Sequence, residues 1–166
     1  FMWQIIINPS AGNGKAGKQW KNIESALRKE NMDFKVHRSE RALHCTELAK
    51  SLIEEGERKI IGVGGDGTNH EIINGLMQQT VVSTNEILYG FIPVGTGNDW
   101  VKMHNIPRNV IKAVQVIKAG KTTFQDIGLA KFYLNNEAKE RYFVNVAGMA
   151  YDAHVGRVSN NERTKI

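Results

Sequence analysis

Apolar and polar positions follow two rhythms along the first two thirds of the chain. The short apolar runs WQIIIN at 3–8, FKVHR at 34–38, KIIGV at 59–63 and ILYGFIP at 87–93 read as strands. Between them the apolar positions recur at helical spacing: Trp20, Ile23 and Leu27 within 15–30, then Leu43, Leu48, Leu52 and Ile53 ending near Gly56. Ile72, Ile73 and Leu76 mark a third helix over 71–77, and Val110, Ile111, Val114 and Ile117 a fourth, opened by Pro107. Strands joined by helices of this length predict right-handed crossovers and an α/β domain, a parallel sheet with helices on both faces, over 1–121.

After Gly120 the rhythm changes. TTFQDIGLAKFYL and ERYFVNVAGM are two strand-like runs joined by the polar stretch LNNEAKE, with no helix between them. We expect 122–166 to begin an antiparallel β domain; two or three strands are marginal alone, so the hairpin either packs on the first domain or belongs to a second domain that is incomplete in this chain.

The 166 residues suffice for an ordinary core, and 41% hydrophobic with 23% charged residues is ordinary globular usage. No apolar run approaches the roughly 18 residues that cross a bilayer, and the single Cys45 reads as a small core residue. A cytoplasmic protein, peripheral at an inner membrane surface if it meets lipid, is the expectation. The net charge of +5 favours anionic partners. Lys102, Arg108, Lys112, Lys118 and Lys121 stand in a stretch without acids, which reads as a solvated helix face or as attraction to an anionic membrane. No basic strand face interleaved with aromatics suggests nucleic acid.

Three glycine-bearing loops follow strands one, three and four, so they should share the carboxyl rim of the sheet, where such folds bind ligands. In the first, NPSAGNGKAGKQ, Gly12, Gly17 and Lys18 satisfy P-loop spacing, but Gln19 replaces the hydroxyl that would reach Mg²⁺. In the second, GVGGDGTNHE, Gly62, Gly64 and Gly67 imitate a dinucleotide fingerprint, yet the loop follows the third strand and carries its own acid, Asp66. A carboxylate repels bare phosphate, and a divalent cation between the two reverses that repulsion. Asp66 also suits a helix cap. The third loop, PVGTGND, adds Gly95, Thr96, Asn98 and Asp99. The five histidines show no metal-ligand spacing, and His70 reads as helix surface.

NPSAG at 8–12, GGDGTNHEIING at 64–75, PVGTGND at 93–99 and FVNVAGMAYDA at 143–153 together resemble the diacylglycerol kinase catalytic domain of soluble bacterial lipid kinases and sphingosine kinases. The resemblance implies an α/β nucleotide-binding domain, a β-sandwich domain and a cleft site using ATP and Mg²⁺ to phosphorylate a lipid, diacylglycerol first, at a membrane surface; a homodimer is a further expectation. It implies nucleotide contacts from Asn8, Pro9, Ser10, Ala11 and Gly12, from Ser39, where the family usually has Thr, and from Gly64, Gly65, Asp66, Gly67, Thr68, Asn69, Glu71, Gly95 and Thr96. It also implies a water-mediated Mg²⁺ network on Asp66, Asp99 and Asp126, with Asp66 the catalytic residue in this chain. Ala150 departs from the family's glycine. Nothing matches the family's late acidic residue, so the general base is expected beyond Ile166, and an N-terminal piece of a longer enzyme, inactive alone, is the expectation. GGDGT is shared with NAD kinases, leaving an NAD kinase-like enzyme or a non-catalytic nucleotide-binding regulatory module as the alternatives.

Overall fold

The computed structural model describes residues 2–145. Its first sheet contains β1 (Trp3–Ile7), β2 (Phe34–Arg38), β3 (Lys59–Gly64) and β4 (Leu88–Pro93), all parallel, in the order β2-β1-β3-β4. The intervening helices are α1 (Lys15–Lys29), α2 (His44–Glu54), α3 (Asp66–Gln78), α4 (Asp99–Met103) and α5 (Val110–Ala119). A second sheet pairs β5 (Gly128–Leu134) with β6 (Glu137–Phe143), antiparallel.

Alternation along β1 sorts the core. Ile5 and Ile7 face one side with Ile61, Val63, Ile92 and Val94, packed against Trp20, Ile23 and Leu27 of α1 and Val114 of α5. Ile6 and Ile60 face the other side, under Ala49, Leu52 and Ile53 of α2 and Ile72 and Leu76 of α3. The helices therefore cover both faces, as strands without a polar face demand. Each fully buried Ile or Leu contributes roughly 1.5–3 kcal/mol. Cys45 is buried at 1% exposure, as expected of it.

The structure revises several element boundaries. The third helix starts at Asp66, five residues earlier than its apolar positions indicate, because its first turn is polar and its apolar stripe begins only at Ile72. Pro107 precedes α5 without opening it; Asn109 caps α5 by accepting the Lys112 N–H at 3.1 Å. The five-residue α4 is too short to show a period in sequence. Residues 122–127, TTFQDI, form no strand, and the hairpin turns on Asn135 and Asn136 alone, with φ of 51° and 63°. Two consecutive left-handed residues are the requirement of a type I′ turn, which Asn tolerates.

Candidate nucleotide site

The three loops meet at the carboxyl ends of β1, β3 and β4. The Asn8 N–H donates to Val63 O at 3.1 Å, and its Nδ2 donates to Thr68 Oγ1 at 3.3 Å, joining the first loop to the second. Asn8 Oδ1 accepts the Ser10 N–H at 3.0 Å and so shapes NPSAG as an Asx turn. Gly12 has φ of 61° and its Cα lies against Val94 O, so a side chain there meets both backbone strain and the third loop.

Asp66 joins the second loop to the third. Its Oδ2 accepts the N–H of Asn98 at 2.7 Å and its Oδ1 that of Asp99 at 2.9 Å. The carboxylate thus links the start of α3 to the start of α4. The approach is close enough that a Cβ added at Gly97 would stand 2.7 Å from Asp66 Oδ2, and one added at Gly95 would stand 2.9 Å from the Gly65 Cα. No side chain caps α3, so its first-turn N–H groups and the positive end of its dipole are directed into the junction of the loops.

Sequence motifs of two better-known phosphate sites do not carry this geometry. Gly17 and Lys18 lie inside α1, past the loop, and Gly62 lies within β3 against Phe91, Ile72 and Tyr89. The P-loop and dinucleotide spacings are incidental.

The remaining candidates except Asp126 lie around this junction, Ser39 and Glu71 both against Cys45. Ser39 follows β2 on the same rim, its N–H donating to Ile7 O at 2.9 Å. Glu71 faces the start of α2, where its Oε2 accepts the Cys45 N–H at 3.3 Å. Asn69 is buried and accepts the Tyr89 hydroxyl at 2.7 Å. Thr96 is exposed, and its carbonyl accepts from Arg108 at 3.1 Å, as does that of Gly97 at 2.8 Å. Asp99 is exposed and pairs with Lys102 at 2.6 Å, whose hydrogen bond and charge hold the Asp99 carboxyl below its usual range. Asp126 instead lines a cleft of about 990 Å³ that reaches Trp3, Lys59 and Leu88, the first residues of their strands. That cleft contains none of the glycine-loop residues. The 146–153 part of FVNVAGMAYDA, with Ala150, lies outside the described residues. So does Ile166, beyond which the general base is expected.

Three residues make contacts that the sequence did not assign to them. Asn98 is buried in the left-handed region at φ 53°, its Nδ2 donating to Gly95 O at 2.6 Å, and its Oδ1 has no partner. Arg108 bonds two loop carbonyls from the segment before α5. Gln125 accepts the Trp100 indole N–H at 2.7 Å. Of these, Asn98 was signalled by the affinity of Asn for left-handed turns.

A family model of the diacylglycerol kinase catalytic domain matches residues 2–130. The chain belongs to the diacylglycerol kinase catalytic domain family. Within that family, YtlR of Bacillus subtilis, provisionally named a lipid kinase, is 31% identical over 159 residues, covering 93% of this chain and 50% of its own. A diacylglycerol kinase of Staphylococcus saprophyticus is 30% identical over 144 residues, covering 87% of this chain and 43% of its own. A crystal structure of a diacylglycerol kinase from Bacillus anthracis superposes with a TM-score of 0.69 at 24% identity, over 87% of this chain and 46% of that one, which shows the shared fold. The chain spans about half the length of these relatives. Among the described residues no helix is long and apolar enough to cross a membrane.

Proposed function

We propose that this chain supplies the ATP-binding part of a kinase that transfers the γ-phosphate of ATP to a lipid hydroxyl, diacylglycerol in the first instance, at a membrane surface. The observation that carries the reading is the double acceptance by Asp66 of the Asn98 and Asp99 N–H groups, which joins two glycine loops around an uncapped helix N-terminus. Phosphoryl transfer depends mainly on positioning and charge stabilisation, and backbone N–H groups in glycine loops supply both.

The donor set fits Mg²⁺ held mainly by nucleotide phosphates and water. Among the described residues no group of three His, Cys, Asp or Glu stands close enough to hold a metal ion alone. Mg²⁺, however, needs only one or two carboxylates beside phosphate oxygens and waters. Each Asp66 oxygen retains a lone pair after its backbone bond. Asp66 and Asp99 are the residues we assign to it, through water; Asp126, on the cleft side, is the third expected member. Bound there, the ion would neutralise charge on the transferring phosphoryl group. Asp66 would then orient the metal-bound phosphates, while Gly65, Gly67 and Gly95 would leave the backbone N–H groups open to them.

The test is transfer from γ-labelled ATP, with Mg²⁺ and the natural full-length protein, to diacylglycerol, a sphingoid base and NAD in parallel. Labelled lipid is the expected product. Labelled NAD with no labelled lipid would overturn the lipid assignment, and no transfer with tight nucleotide binding would support a regulatory module.

A further inference from the structure

Two side-chain amides remote from the glycine loops complete a circuit that begins at Asp66. The carboxylate bonds the start of α3 to the start of α4 through the Asn98 and Asp99 N–H groups. From α4, the Trp100 indole N–H donates to Gln125 Oε1 at 2.7 Å, and His104 Nε2 stands at the same distance from the same oxygen. Gln125 Nε2 then donates to Val144 O at 3.0 Å. Two residues back along the chain, Tyr142 gives its N–H to Asn74 Oδ1 at 3.0 Å and takes Asn74 Nδ2 on its carbonyl at 2.9 Å. Asn74 lies on α3, eight residues or about 12 Å beyond Asp66 at the helical rise.

The links join α3 to α4 at Asp66 and α3 to β6 at Asn74, and the remaining one runs from α4 through Gln125, in the irregular segment before β5, to Val144, the residue after β6. The Asn74 amide is 4% exposed, and it meets Tyr142 as a neighbouring strand would, donor to acceptor and acceptor to donor. It also donates to His70 O at 2.8 Å, which fixes its orientation on α3. A circuit closed by such short links passes a displacement of one corner on to the others, whereas an open chain of contacts relaxes at its free end.

We propose that Asn74 and Gln125 are positioning residues for the nucleotide site: by closing this circuit they hold the starts of α3 and α4 at the separation at which Asp66 grips the Asn98 and Asp99 amides. Strand β6 is thereby part of the body that carries the phosphate loops, and the chain between α5 and β5 does not act as a hinge between two independent units. In supporting the nucleotide site this rests on the function proposed above, but its mechanical content does not.

The experiment measures amide hydrogen exchange at Asn98 and Asp99 in the wild-type chain, in Asn74→Ala, in Gln125→Ala and in the double variant. Opening the circuit at either place releases the same constraint. Both single variants should therefore exchange these two amides about tenfold faster, and the double variant no faster than the faster single one. Independent local effects would multiply in the double variant, and that outcome overturns the proposal, as does unchanged exchange in both singles. Gln125→Glu, which keeps the acceptor for Trp100 and loses the donation to Val144, should behave as Gln125→Ala; this guards against a truncation effect. Unchanged exchange at Ile5 and Ile61 checks that each variant folds. ATP·Mg²⁺ affinity, measured on the same proteins, should fall with the same non-additive pattern. If the wild type binds no ATP, the functional reading fails while the exchange result still decides the circuit.

Discussion

Arg141 on β6 donates its Nε–H to His70 Nε2 on α3 at 2.8 Å, so the imidazole is held as an acceptor and must be neutral. Burial, the Arg141 charge and the opposing but smaller pull of Glu71 leave the His70 pKa below its ordinary 6.5. The unfolded chain then takes up this proton more readily than the folded one. The stability contributed by neutral His70 is complete above pH 6.5 and is lost as pH falls through the lowered folded value. Exchange at the Tyr142 amide, corrected for its intrinsic rate, should accelerate between pH 7.5 and 5.5, and His70→Gln should flatten that response. An equal response in both proteins would remove His70 as its cause.

Asp66→Asn should detach the two loops. The new amide has one oxygen to accept an N–H, and its NH₂ group must face the other N–H, donor against donor. A part-buried unmet donor costs about 1–3 kcal/mol, and each kcal/mol lowers Tm by about 2–4 °C in a chain of this size. A melt superimposable on wild type would mean that the carboxylate is not holding the loops.

Gly67 and Gly97 separate stability from binding. A Cβ at Gly67 meets nothing within 4 Å, and Ala in place of Gly in a helix gains roughly 0.5–1 kcal/mol. Gly67→Ala should therefore raise Tm and, if phosphate approaches this backbone, weaken ATP binding by about tenfold. Gly97→Ala crowds Asp66 Oδ2 and should lower both. Calorimetric titration with ATP·Mg²⁺ distinguishes them; undiminished binding in Gly67→Ala would put the phosphate elsewhere.

Cys45 should resist alkylation. Burial, the largest influence, pushes its thiol up to about 11, so almost no thiolate exists near neutral pH. Iodoacetamide at pH 8 should label the native protein at least a hundredfold more slowly than the protein in denaturant, followed by mass spectrometry. Rapid native labelling would show an opening of α2 that the packed structure does not contain.

Much of the fold was legible because the strands are short, carry apolar runs or alternation, and are separated by helices of clear period; β1 through β4 fall within a residue or two of their sequence limits. The start of α3 was hidden because Asp66, Gly67, Thr68 and Asn69 carry no apolar signal. Convergence of the three loops also followed from the parallel order alone. What sequence could not express was the pairing of Asp66 with backbone N–H groups 32 and 33 residues away, the Lys102 partner of Asp99, and the placement of Asp126 on the cleft. Hydrogen bonds to backbone leave no mark in residue type, and Asn74 and Gln125 read as ordinary polar positions for the same reason.

The strand order β2-β1-β3-β4 imposes a sequence of events on synthesis. Of these four strands β1 emerges first, yet it lies between β2 and β3, and its register with β3 joins Gln4 to Ile60 and Ile7 to Val63. The first loop takes its shape from Val63 O, and Gly12 rests on Val94 O. Chain emerging from the ribosome must therefore reach the end of β4 before NPSAG has both of these neighbours. Pairings this distant in sequence form slowly, and until they form the nascent Ile5–Ile7 strand presents an unpaired apolar edge. The same wiring that builds the loops onto one rim leaves β1 and its loop, among these four strands, waiting longest for their neighbours while the sheet is being made.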